Sequence, residues 1–156
     1  MNLNELRDKA YKIACEHGFH DKEYSDKHWL MLVITELLEA VEADKKDSYF
    51  GSEIADVVIR CLDFCGMKKF DLSETQEMIE DDKPDPCSDE TDIMTEIVYN
   101  IASLLFNHSR ESELRVQDVI IQIFGLSEHL HIDLEWHIEQ KMKYNSLRPY
   151  KHGKEY

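Results

Sequence analysis

Glycine and proline are scarce in this chain, five and three in 156 residues, which rules out collagen-like and low-complexity architectures. No segment alternates apolar and polar residues over the length of a strand, so sheet folds find no support and an all-α fold is expected. No run approaches the ~20 apolar residues of a membrane span. The start, MNLNELRDKAYKIACEHG, is amphipathic and charged rather than signal-like. A soluble, cytoplasmic protein is expected. Positive charge is also in short supply: 18 Lys and Arg stand against 33 Asp and Glu, for a net charge of -15. That balance argues against nucleic acid or an anionic membrane as partner, since both are polyanions. It leaves room for a small phosphorylated ligand received by a metal and a local basic cluster. The four cysteines, Cys15, Cys61, Cys65 and Cys87, contain no CxxC pair and read as reduced, buried thiols. There is no Gly-rich phosphate loop, no GxSxG, and no arguable Cys–His or Ser–His pair.

What the chain does have is acid inside apolar helices. Trp29–Val41, WLMLVITELLEAV, is apolar on nearly every side and carries only Glu36 and Glu39, three residues apart on one face. Leu30, Ile34, Leu37, Leu38 and Val41 read as its core stripe, with Leu32 and Ala43 flanking the glutamates. Carboxylates on a buried helix are costly to ionise without a cation between them. SEIADVVIRCLDFCG repeats the spacing with Glu53 and Asp56. Two facing helices whose four acids enclose a divalent metal are expected, and a hard dication that takes carboxylate oxygens and keeps waters suits them. Arg60 shares a stripe with Glu53, Asp56 and Asp63 and reads as an ion-pair partner for Asp56 or Asp63.

Helical signals place an N-terminal helix over about 3–17, stopped by Gly18, and a second from Ser25 to about Asp44. A third runs from Ser52–Glu53 to Gly66, and a short one follows Asp71–Leu72–Ser73. EDDKPDPCSDETD, with two of the three prolines, reads as a linker. Beyond it, TEIVYNIASLL (95–105) aligns with TELLEAVEADK (35–45), and DVIIQIFGLSEHLHIDL (118–134) with DVVIRCLDFCGMKKFDL (56–72). Shared Thr–Glu, Asp–Val and Asp–Leu pairs in one order point to tandem duplication rather than to two similar amphipathic helices. One domain over 1–156 is expected: a repeat over about 22–80, a linker over about 81–92, a second repeat over about 93–145 and a basic tail over 146–156. The two helix pairs would pack as a four-helix bundle with the N-terminal helix and short peripheral helices added. In the second repeat Glu39 is matched by Tyr99 and Glu53 by Arg115, while Glu36 and Asp56 keep Glu96 and Asp118. Whether Glu96 and Asp118 join the site stays open.

The basic residues gather at the end: Lys141, Lys143, Arg148, Lys151 and Lys154, among Tyr144, Asn145 and His152. They would either neutralise a polyphosphate or form a frayed, solubilising terminus. Most of the eight histidines read as surface residues, and Trp29 and Trp136 as core. Glu128 and His131 make a single ExxH where a di-iron bundle needs two.

TELLEAVEADKK, SEIADVVIRCLDFCG and IDLEWHIEQKMKYNSLRPYKHGKEY together resemble the MazG-like nucleotide pyrophosphohydrolases of the all-α NTP pyrophosphatase superfamily. The chain is similar to a tandem-duplicated member, with residues 71–133 looking inserted before the KMxYNxxRPYxHGK ending. The resemblance implies Glu36, Glu39, Glu53 and Asp56 as metal ligands, and Lys141, Asn145, Arg148 and Lys154 as contacts to substrate phosphates. It implies a Mg²⁺ cofactor, with Mn²⁺ as a substitute, and hydrolysis of a nucleoside triphosphate to monophosphate and pyrophosphate. Glu36 or Glu39 would orient the attacking water. House-cleaning of deoxyuridine or damaged deoxynucleotide triphosphates would fit such a family. The duplication leaves a monomer with an internal pseudo-dimer or a homodimer as its two assemblies. A non-catalytic nucleotide-binding or scaffold protein is the alternative, although it would not need all four acids of the first repeat.

Overall fold

The structure is a computed structural model that describes residues 1–43, 48–81, 90–106 and 111–153. Among them lie seven α-helices, a terminal 3-10 turn and no strand, as the missing alternation implied. The helices are α1 (Leu3–Glu16), α2 (Asp26–Glu42), α3 (Ser48–Lys68), α4 (Ser73–Asp81), α5 (Glu90–Phe106), α6 (Glu111–His129) and α7 (Leu134–Leu147). The 3-10 turn is Tyr150–Gly153. None of the described helices is long and apolar enough to cross a membrane.

Helix ends follow local chemistry. Asn2 caps α1 by accepting from the Glu5 N–H at 3.1 Å, and Asp133 caps α7 by accepting from the Trp136 N–H at 3.1 Å. α1 stops in a left-handed residue, Gly18 at φ 76°, with the Phe19 N–H reaching the Ala14 carbonyl. α3 and α6 close in the same way through Lys69 and His131, at φ 60° and 57°. There the Phe70 N–H meets the Cys65 carbonyl and the Ile132 N–H that of Ser127. Each is followed by Asp–Leu and a new helix, so the segments that align in sequence at 56–72 and 118–134 end alike in space.

α2 packs on α3, α3 on α6, α6 on α5 and α5 on α2, a four-helix ring, while α1 and α7 lie against α3 from outside it. α3 is therefore covered on nearly every side, and Phe50, Ile54, Val58, Leu62 and Cys65 are all essentially inaccessible. It begins a turn earlier than the sequence suggested because Phe50 has a place in the core. It also runs past Gly66, where a Cβ would come within 2.5 Å of the Tyr11 Cβ. That glycine is a contact point for α1 rather than a helix stop.

The core stripe of α2 differs from the expected one. Trp29, Leu30, Val33, Leu37 and Ala40 are buried, whereas Leu38 and Val41 are 57% and 54% exposed. At 100° per residue the buried arc is rotated toward Trp29 and Ala40, which carries Glu36 to its edge and leaves Leu38 outside. Two further expectations are corrected. Trp136 is 53% exposed because α7 turns only Leu134, Ile138 and Met142 inward. Cys15 is exposed on α1, while Cys61 and Cys65 are free, buried thiols as expected. Cys87 and most of the expected linker, 82–89, lie outside the described residues.

Candidate functional site

The buried arc of α2 points Glu36 at α3, and the polar stripe of α3 points Glu53 and Asp56 back. One carboxylate oxygen from each of Glu36, Glu53 and Asp56 lies within 4.8 Å of the others, the one such three-residue cluster among the described residues. Glu53 is 3% exposed, and the side chains of Glu36 and Asp56 are 15% and 20% exposed. Glu39, one turn further along α2, is exposed on the rim of the same cavity. The cavity holds about 450 Å³ and is walled by α1, α2, α3 and α7.

α7 brings the bases. Lys141 and Asn145 on α7 and Arg148 just past its end all line the cavity, beside the Leu134, Ile138 and Met142 side chains that anchor the same helix in the core. The Lys141 ammonium donates to Asp56 Oδ2 at 2.5 Å and lies 3.8 Å from Glu53 Oε1. Arg148 differs from it. Its guanidinium lies 5.5 Å over the Tyr144 ring and has no ion-pair partner among the described residues. Lys154 lies outside the described residues.

The remaining charges of the stripe are committed elsewhere. Arg60 donates from Nε to Glu36 Oε1 at 2.9 Å, rather than to Asp56 or Asp63, because Glu36 faces α3 across the helix pair. Asp63 is buried and pairs with His20 Nε2 at 2.7 Å, and His20 in turn stacks on Trp29. Glu96 and Asp118, on α5 and α6, do not line the cavity. Burial raises the Asp118 carboxyl, and the charge of Arg115 partly offsets that. Sequence reasoning did not single out His20 or Tyr49, which lines the cavity with its phenol pushed up chiefly by Glu53. No residue spacing signals either of them.

The electrostatics are those of a cluster held with one cation too few. Burial raises the Glu53 carboxyl, Lys141 partly opposes it, and Asp56, Glu39 and Glu36 add to it. Burial likewise raises Asp56, outweighing its bond to Lys141. For Lys141, burial acts downward, but the hydrogen bond and charge of Asp56, with Glu53 and Glu36, carry the ammonium above its ordinary value. A carboxyl whose folded pKa is raised contributes stability that is complete below its unfolded pKa and is lost as pH rises through the folded value. Stability of the ion-free protein relative to Glu53→Gln is therefore expected to fall as pH climbs from about 4.5, the ordinary glutamate value. Denaturant melts of both proteins across pH 4–8 check this, and wild-type stability that rises relative to Glu53→Gln as pH climbs would contradict it.

Three oxygen donors with open cavity beside them could hold a hard metal ion. A second cavity of about 470 Å³ shares Glu36, Glu39 and Arg60 with the first and is otherwise walled largely by Phe19, Tyr24, His28, Trp29 and Leu32. No family model matches the chain, and no curated protein or solved structure matches it either.

Proposed function

We propose that the chain is a Mg²⁺-dependent nucleoside triphosphate pyrophosphohydrolase, converting a nucleoside triphosphate and water to the monophosphate and pyrophosphate. The observation that carries this reading is the meeting in one cavity of the Glu36, Glu53 and Asp56 cluster with Arg148, which has no ion-pair partner among the described residues. Acids alone would suit a cation, and an arginine alone would suit an anion. Both together suit an anion that arrives with its cation, which describes a magnesium polyphosphate. The adjoining aromatic cavity has the size and lining for a flat heterocycle. The resemblance to MazG-like pyrophosphohydrolases rests on the same acids and the same ending.

Glu36, Glu53 and Asp56 would hold the Mg²⁺, with Glu39 beside them. Bound there, the ion would neutralise charge gathering on the pyrophosphate leaving group. Arg148 would take two phosphate oxygens in its planar fork, and Asn145 would donate from its amide. Lys141, long and flexible, would exchange its carboxylate partners for a phosphate oxygen. Glu39 or Glu36 would orient the water and receive its proton as the water oxygen bonds to the α phosphorus and the α–β anhydride bond breaks. Glu39, exposed and without the Arg60 contact that engages Glu36, is better suited to accept that proton.

The test is a panel of ribo- and deoxyribonucleoside triphosphates with Mg²⁺, resolved by product. Pyrophosphate and monophosphate in equal amounts are expected. Release of inorganic phosphate with diphosphate would place the cleavage elsewhere, and no turnover with any nucleotide would favour a non-catalytic binding protein.

A further inference from the structure

The segment after α7 is gripped by the turn after α1, and the grip centres on a histidine that the chemistry above does not use. His17, 8% exposed, places Nδ1 at 2.8 Å from the Ile13 carbonyl and Nε2 at 2.9 Å from the Arg148 carbonyl. Both partners are carbonyls, so a ring nitrogen that bonds either of them donates an N–H. The His17 carbonyl then accepts from the Lys151 N–H at 2.9 Å, so one residue holds the segment at both ends. Gly18 adds a second grip. The Tyr150 ring occupies the place that a side chain at Gly18 would take. The Tyr150 hydroxyl donates to Asp21.

We propose that His17 is a positioning residue for anion binding: by clasping the backbone of residues 148–151 it fixes the Arg148 guanidinium over the cavity that the acid cluster shares. Arg148 follows directly on α7, whose last turn ends at Leu147, and its own N–H is bonded only at 3.3 Å to the Asn145 carbonyl. With no ion-pair partner among the described residues, the guanidinium is placed by its backbone together with its contact over the Tyr144 ring. The clasp holds that backbone from the opposite wall of the cavity, where Ile13 and His17 also stand. Ordering an arginine before the ligand arrives spares the cost of immobilising it on binding. The inference rests on reading the cavity as a phosphate site.

Inorganic pyrophosphate with Mg²⁺ is the probe, and calorimetric Kd values for wild type, His17→Ala, Arg148→Ala and the double variant are the measurement. His17→Ala is expected to weaken pyrophosphate about tenfold, Arg148→Ala at least as much, and the double variant no more than Arg148→Ala alone. Tyr150→Ala, an exposed position that leaves the core intact, should repeat the His17→Ala effect if the histidine variant folds poorly. Wild-type affinity in His17→Ala and Tyr150→Ala, or a double variant weaker by the product of both losses, would overturn the proposal. Should wild type take up no pyrophosphate, the phosphate reading fails instead. The clasp is then judged by hydrogen exchange at the Lys151 amide, which should lose protection in His17→Ala; unchanged protection would refute it.

Discussion

Glu39→Gln is expected to lower Mg²⁺-dependent pyrophosphate release by about 10²–10⁴-fold, the range for loss of a general base, while the melting temperature stays where it is. The two halves of that expectation come from one observation: Glu39 lines the cavity yet is exposed. Glutamine keeps the side chain's size and its hydrogen bonding but can neither hold a proton nor bring a charge to the acid cluster. An exposed side chain gives up no packing, and such substitutions usually stay within about 0.5 kcal/mol. Product-resolved turnover at saturating Mg²⁺, with thermal melts in parallel, is the check. Activity near that of wild type would remove Glu39 from the chemistry and pass its role to Glu36.

Lys141→Met should act in the opposite sense on stability and metal. The ammonium is the cation that the cluster holds, bonded to Asp56 and close to Glu53. Removing one partner of a buried ion pair costs about 3–5 kcal/mol, and the partial exposure of Lys141 argues for the lower end. At about 2–4 °C per kcal/mol for a chain of this size, the ion-free variant should melt roughly 6–12 °C below wild type. Methionine keeps most of the apolar stem, so the loss reports charge rather than a cavity. With the resident ammonium gone, a dication should bind about tenfold tighter or more. Millimolar Mg²⁺ should then recover much of the lost stability, while turnover falls because a phosphate contact is missing. Equal melting of the two proteins in chelator, or a variant indifferent to Mg²⁺, would show that Lys141 does not neutralise the cluster.

Much of this site could be read from the sequence, and for identifiable reasons. The i, i+3 acids of α2 and α3 fix which side chains share a helix face, whatever the tertiary structure; of the four acids expected to converge, Glu36, Glu53 and Asp56 do, while Glu39 stays exposed on the cavity rim. Lys141 and Asn145 are likewise four residues apart on one face of α7, and Arg148, just past its end, arrives with them. What the sequence could not supply was rotation. The apolar run of α2 admits several buried arcs, and Leu38 and Val41 were assigned to the wrong one. The helix enclosed on every side is α3, not α2, and this depends on α1 and α7 packing outside the bundle. Partner choice was also out of reach. Arg60 had two acids on its own helix and took Glu36 from the next, because a side chain chooses by distance through space. His17 and His20 read as ordinary surface histidines until α7 and α3 are brought against them.

The central place of α3 bears on how such a chain can diversify. Two of the three clustered acids ride on the helix least able to accept replacement, where nearly every neighbour from Phe50 to Gly66 is locked in place. New ligand preferences would have to be written at positions such as Tyr24, His28 and Tyr144, exposed side chains that border the cavities without filling the core. A library randomised there should stay folded and shift in selectivity, whereas one randomised along α3 should yield mostly insoluble protein.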